Sequence, residues 1–403
     1  MKNASPQELQ ALRRRAESIR SRLPALSHGA DGRLTPDSLA AVQDAAGRIL
    51  RRERAVGASL VLCHPDGGDD VLCFGYARLS PRTPVTPQTC MRTASVTKLV
   101  MSFVVMHLVE IGWLDLDEDI GVALGMPVRS PHHPDVPITL RMLLTHTSGI
   151  CDEGSYGTRG MQADCTLPEL LADPQNWTKE RPGGVFRYSN LGAGVAGVVC
   201  ECVADAPFDC LLQNAVAIPL DIRISCRPGV IDPPQDLADG YSVRGILPPR
   251  LRYDAAALIR AGAQIPAHDP MKRFLVTAGR IITDSRGMGR LVRLLASDGA
   301  VDGVHILRKE SLDEIRSLQD GRGGVARCGR GLNTAFLPGV FPGFSPVGHQ
   351  GVAYGMCAEL FADPQRQCGV GLMTSGVRLV KSPPLMRAGF DLLALGFAAV
   401  DTA

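Results

Sequence analysis

"MCAELFADPQRQCGVGLMT" (residues 356–374) carries two short apolar runs, MCAELFA and CGVGLMT, around the polar turn DPQRQ. Each run has the length of a strand, and the residues between them are turn formers, so the stretch reads as a strand pair. The same design recurs near the other end of the chain, where GASLVLCH (57–64) and DVLCFGYA (70–77) flank the turn-rich PDGGD. Strand pairs this far apart are expected to join in one sheet assembled from both ends of the chain. Residues 36–53 place Leu39, Val42, Ala46, Ile49 and Leu50 at helical spacing, and a last apolar helix is expected over about 384–398. Such helices should cover the sheet, which makes the fold class α+β. The long middle has helical periods broken by Pro and Gly, and a helix-rich lobe is expected there, with a substrate cleft between the lobes. The expected division is an N-terminal helical arm over 1–35, a sheet domain from 36–92 with 345–403, and a helix-rich inserted domain over 93–344. Residues 225–275, rich in Pro, Arg and Ala, offer the least pattern.

Bulk properties exclude several function classes. An apolar fraction of 45% with 21% charged residues is ordinary for a soluble globular enzyme. A net charge of +2 over 403 residues leaves no electrostatic footprint for nucleic acid or an acidic membrane. The run RRRAESIRSR (13–22) is expected to be the solvated face of a helix that also carries Leu9, Leu12 and Ile19. The first residues lack the apolar core of a signal peptide, and no stretch is apolar for long enough to span a membrane. Twelve cysteines are scattered without a CxxC pair, as expected of reduced, mostly buried thiols. The expected compartment is the cytoplasm.

The chemistry starts at "TASVTKL" (93–99). Lys98 is one of six lysines in the chain, and it stands three residues after Ser95 at the head of the apolar run Leu99–Met106. A serine hydroxyl is a poor nucleophile that needs a base beside it. A lysine can be that base where desolvation and positive neighbours disfavour the ammonium form. Residues i and i+3 share a helix face, so Lys98 can approach Ser95 from one turn below. If Ser95 opens the helix, its backbone N–H points into the site and can bind a developing oxyanion. Taken alone, the pair also fits a helix cap followed by a lysine that reaches for the surface.

Two further motifs weigh against that plain reading. FRYSNLG (186–192) holds Tyr188 and Asn190, the one YxN in the chain, after the turn former RPGG. VGHQGVAYGM (347–356) holds His349, Gln350 and Gly351, the one HxG, ahead of the strand MCAELFA. A phenol can relay protons between a serine and a leaving group. An Asn side chain both donates and accepts, which suits an amide or ester carbonyl. A glycine that opens an edge strand lets an acyl group approach the backbone, and the next N–H can complete the oxyanion hole. Each residue also has a plain reading: Tyr188 a core aromatic, His349 a turn histidine, Gly351 a bend. Three unique motifs in this order favour the functional one.

Together they resemble the serine β-lactamase and penicillin-binding-protein superfamily, in particular its class C β-lactamase, DD-peptidase and esterase branch, over roughly residues 36–400. LRMLLTHTSGI (140–150) is similar to the branch's helix running into a Thr/Ser-Gly turn beneath the active site. RPGGVFRYSN resembles its approach to the tyrosine motif, and GHQG with the final strand pair resembles its closing hairpin. The resemblance implies a β-lactamase/transpeptidase-like fold, an antiparallel sheet flanked by helices plus an inserted helix-rich lobe. It implies Ser95 as the acylated nucleophile, Lys98 as its activating neighbour and Tyr188 as general base and acid. It also implies Asn190 as a substrate-orienting amide and an oxyanion hole from the backbone N–H groups of Ser95 and Val352.

One departure bears on the substrate. Many β-lactamases and DD-peptidases have a Lys where His349 stands, and a histidine is mostly neutral at pH 7. HxG is common among the esterases, D-aminopeptidases, amidases and acyltransferases of the family, so a small-molecule or short-peptide acyl substrate other than an antibiotic is expected. The chain has no GxSxG elbow, HExxH helix, P-loop or GxGxxG ahead of a helix, and no metal or cofactor is expected. His132–His133 is expected to be a surface turn. The expected function is a serine hydrolase cleaving a small ester or amide. The alternatives are an acyltransferase on the same intermediate, a true β-lactamase or DD-carboxypeptidase, and a catalytically inactive binding module of the same fold.

Overall fold

The computed structural model describes residues 6–65, 67–159, 165–263, 268–272, 274–319 and 330–401. Strand β1 (Gly57–Cys63) is buried along its whole length because both of its faces are covered. Leu60 and Leu62 point into one core, and Val61 and Cys63 into another. A strand sandwiched this way reads as a continuous apolar run rather than an alternating one. With β2 (Asp69–Leu79), β3 (Arg82–Pro84), β4 (Ala335–Phe336), β5 (Val347–Ala353), β6 (Met356–Asp363) and β7 (Cys368–Gly376) it forms a sheet in the order β4-β5-β6-β7-β1-β2-β3. All neighbours are antiparallel. The β1–β7 pairing, with Leu60 opposite Leu372, joins the two ends of the chain as expected.

One face of the sheet is covered by helices α2 (Pro36–Arg52) and α6 (Arg387–Ala399). Val42, Ala46 and Leu50 of α2 meet Phe390, Leu393 and Phe397 of α6 there. Each Leu or Phe so buried contributes roughly 1.5–3 kcal/mol. The last helix starts at Arg387, later than the expected 384, because Pro383 and Pro384 form the turn through which Leu385–Met386 pairs back on Lys381–Ser382. Helix α1 (Pro6–Arg20) docks on α6 through Leu12 and Ala16. The arginine run is therefore not simply a solvated face. Arg15 grips the buried Asp391 at 2.6 and 2.7 Å, and Arg20 reaches Asp401 at 2.7 Å.

The opposite face packs on α3 (Val96–Glu110) and α5 (Ser285–Ala296). Helix α3 is buried without interruption from Val96 to Met106, which explains its lack of a polar face. Helix α4 (Asn190–Ala204), the short helix Leu140–Leu144 and their neighbours surround α3 on the side away from the sheet. Residues 224–263 form short strands, single turns and the helix Ala255–Ala263, which accounts for their weak pattern. Among the described residues, no helix is long and apolar enough to cross a membrane. His133 lies at a surface turn with Nε2 on the carbonyl of Lys179 at 2.9 Å. The cysteines among the described residues carry thiols rather than disulfides.

Candidate active site

Ser95 is the N-cap of α3, yet its side chain caps no backbone N–H, so Oγ is left for chemistry. The turn before it is held by force: Ala94 sits at φ 47°, a left-handed conformation that costs a non-glycine residue of order 1 kcal/mol. Two bonds to one residue pin it there, Thr93 N–H to the carbonyl of Ile281 (2.9 Å) and Ile281 N–H to Thr97 Oγ1 (3.0 Å).

Lys98 is fully buried, and three acceptors surround its Nζ. They are the carbonyl of Ala278 at 2.5 Å, Asn190 Oδ1 at 2.9 Å and Ser95 Oγ at 3.4 Å. The first two only accept, so they take two N–H groups whatever the protonation state. The third direction faces Ser95, with a hydrogen in the ammonium and a lone pair in the free amine. Tyr188 Oη donates to Ser95 Oγ at 2.9 Å, and Lys98 Nζ lies 5.0 Å from the centre of the Tyr188 ring. The three side chains expected to carry the chemistry meet within hydrogen-bond reach.

Asn190 is the first residue of α4. Its Nδ2 donates to Asp152 Oδ2 at 2.9 Å, which turns Oδ1 toward Lys98. One Nδ2 hydrogen remains for a substrate carbonyl.

His349, Gly351 and Val352 lie inside β5, a strand of its own from Val347 to Ala353, rather than at the opening of the strand that follows. The expectation of a strand start is corrected here: the turn that ends β5 is Tyr354–Gly355, with φ 53° and 99°, a tight two-residue hairpin. Gly351 has a more immediate task than admitting a substrate. A Cβ built on it would lie 2.0 Å from the carbonyl oxygen of Thr93 and 2.9 Å from the nitrogen of Ser95. Its bare backbone is what lets β5 and the start of α3 touch.

Val352 stands opposite Cys357 in the β5–β6 ladder. Cys357 gives its N–H to Thr374 Oγ1 on the other side at 2.8 Å. Opposed antiparallel residues either exchange both bonds or turn both groups away. The Val352 N–H therefore points out of the sheet edge, beyond the reach of the short β4, which pairs only with Val347 and Gly348.

His349 is buried, and its Nδ1 donates to the carbonyl of Asn333 at 2.8 Å, leaving Nε2 as the acceptor of a neutral ring. Burial, reinforced by the charge on Lys98, pushes its pKa down to about 3. It bonds neither Lys98 nor Tyr188.

Residues outside the three motifs complete the frame. His146, at φ 57°, accepts the Ser189 N–H on Nδ1 at 3.3 Å and lays its ring 4.5 Å from that of Tyr188. Burial holds its pKa well below the usual histidine value. Arg330 covers the Phe186 ring at 4.7 Å. His146 and Asp152 stood in plain view in HTSGICD, but their partners could be known only from the fold; the Ala278 carbonyl has no sequence signal at all.

A family model for Beta-lactamase matches residues 42–389. The chain is 25% identical over 342 residues to penicillin-binding protein 4 of Amycolatopsis lactamdurans, which covers 81% of this chain and 83% of that one. It is 31% identical over 205 residues to esterase EstB of Burkholderia gladioli, covering 46% and 51%. Among solved structures, EstCE1, a hydrolase with promiscuous acyltransferase activity, superposes with a TM-score of 0.70 at 22% identity over 91% of this chain and 99% of that one. Matched from within α2 to within α6, the chain belongs to the Beta-lactamase family and is a serine hydrolase of that family.

Proposed function

We propose that the chain hydrolyses a small ester or amide through an acyl-enzyme on Ser95. The observation that carries this reading is that Ser95 Oγ lies 2.9 Å from Tyr188 Oη and 3.4 Å from Lys98 Nζ, at the start of a buried helix. In acylation Oγ attacks the substrate carbonyl as its proton passes to the free amine of Lys98, 3.4 Å away. Charge on the carbonyl oxygen is received by the N–H groups of Ser95 and Val352. Tyr188 then protonates the leaving alcohol or amine. Water repeats the sequence in reverse, breaking the acyl bond and returning the proton to Ser95.

The substrate class we propose is a neutral acyl compound. A neutral His349 places no fixed charge where a substrate carboxylate would otherwise find a lysine. The esterase among the relatives supports the same choice. The cytoplasm remains our proposed compartment, supported by the unpaired buried thiols of residues such as Cys63 and Cys200.

The test is a screen of p-nitrophenyl esters, D-amino-acid amides and nitrocefin, each with and without an amine acceptor. Turnover of a neutral ester or amide in water alone is the expected result. A tenfold or greater preference for nitrocefin overturns the substrate class, and product formed only with the amine present makes the protein an acyltransferase.

A further inference from the structure

Lys98 Nζ sits at the end of a flexible four-carbon chain, and its position depends on what holds it. The Ala278 carbonyl belongs to the backbone and cannot turn. The Asn190 amide can: its oxygen and nitrogen are nearly the same size, and a flip would set N–H against the N–H that Lys98 now donates to Oδ1. What prevents the flip is Asp152. Its Oδ2 accepts Asn190 Nδ2 and Asn190 N–H, each at 2.9 Å. Its Oδ1 accepts Ser189 Oγ at 2.8 Å and Leu191 N–H at 3.1 Å. Only a carboxylate offers acceptors on both sides, so an amide here would oppose at least one of these donors.

We propose that Asp152 is a positioning residue for the reaction, acting through Asn190 on Lys98 and so on Ser95. The chain of contacts is Asp152 Oδ2 to Asn190 Nδ2, Asn190 Oδ1 to Lys98 Nζ, and Lys98 Nζ to Ser95 Oγ, at 2.9, 2.9 and 3.4 Å. A nucleophile, its proton-accepting neighbour and a third group that orients the neighbour form the usual logic of activated serines. Here the orienting carboxylate works at one remove, through an amide. The inference rests on the acyl-enzyme reading above.

A double-mutant cycle on the full chain tests it, with a neutral p-nitrophenyl ester as substrate. The wild type, Asp152→Asn, Asn190→Ala and the double variant are compared at a temperature where thermal melts show all four folded. Asp152→Asn should lower kcat/KM by about tenfold to a hundredfold, mostly in kcat, and the double variant should be no slower than the slower single one. Its pH–rate profile should move in the same direction as that of Asn190→Ala, which loss of stability alone would not produce. Asp152→Glu keeps both acceptors and should recover part of the rate; Asp152→Ser replaces Asp152→Asn in the cycle if that variant does not fold. Losses that multiply in the double variant, or an Asp152→Asn rate within threefold of wild type, overturn the inference. Labelling of wild-type Ser95 by a fluorophosphonate tells the two failures apart: with labelling, a multiplying cycle overturns only the role of Asp152, and without it both readings fall.

Discussion

The first turn of α3 and the strand β5 meet at one point, Gly351 against Thr93 and Ser95, yet they supply opposite kinds of chemistry. Helix α3 contributes side chains, the Ser95 hydroxyl and the Lys98 amine, held by Tyr188 and Asn190. Strand β5 contributes mainly backbone: the outward N–H of Val352 and the missing side chain of Gly351. The difference teaches where sequence reading is strong. A side-chain motif announces its chemistry by residue type and spacing, whereas a backbone donor becomes visible only when the register of the ladder is known.

Changes in the α3 half should have the largest effect. Lys98→Arg keeps the charge but loses the free amine, and it brings a planar group where three acceptors suit an ammonium. Its kcat should fall by at least ~10³-fold, and that of Tyr188→Phe by a similar order, with melting temperatures near wild type for the Tyr variant. Steady-state kinetics on the best neutral ester checks both. Near-normal turnover in Lys98→Arg would mean that the lysine supplies only charge.

The β5 half should fail in a different manner. Gly351→Ala drives a methyl against two backbone groups that have no room to yield, and overpacking of this kind costs about 1–3 kcal/mol. By displacing Val352 from Ser95 it should also lower kcat about 10²-fold, the usual scale for loss of one oxyanion donor. Urea unfolding and kinetics on the same variant separate the two losses. Full activity with a full-strength fold would remove Gly351 from the account.

The smallest effects concern stability against pH, and they differ in sign across the two faces of β5 and its neighbour. His349 stays neutral down to about 3 when folded, against an ordinary value of 6.5. Between those values the unfolded chain binds more protons, so stability falls as the pH falls. Glu359, buried opposite Gln350 with one oxygen bonded to Gln350 Nε2, is raised by burial to about 8 from 4.5. There the folded chain holds the extra proton, so stability falls as the pH rises from 4.5 to 8. Thermal melts at pH 5 and pH 8 should therefore show Glu359→Gln gaining more at pH 8, and His349→Gln gaining more at pH 5. Equal shifts at both pH values would show that neither burial acts as described.

Much of this architecture was legible beforehand, and the reasons are physical. The strand pairs at both ends and the helix over 36–53 were carried by apolar runs and turn residues, whose signal is local. Ser95, Lys98, Tyr188 and Asn190 were carried by side-chain chemistry at short spacing. The independent strand β5 was missed because its Gly-rich, polar sequence VGHQGVA lacks the β-branched alternation of an ordinary strand. The docking of α1 was missed because its partners, Asp391 and Asp401, lie at the far end of the chain. Asp152 was missed because its value depends on four donors from a segment nearly forty residues away.

The central claim is that Ser95 becomes covalently acylated, and intact-protein mass spectrometry after a fluorophosphonate reads this directly. The wild type should gain one adduct, mapped by peptide digestion to Ser95, while Ser95→Ala, folded by its melting curve, should gain none and lose turnover by at least ~10³-fold. An adduct that persists on Ser95→Ala, or turnover that survives the substitution, would contradict the account.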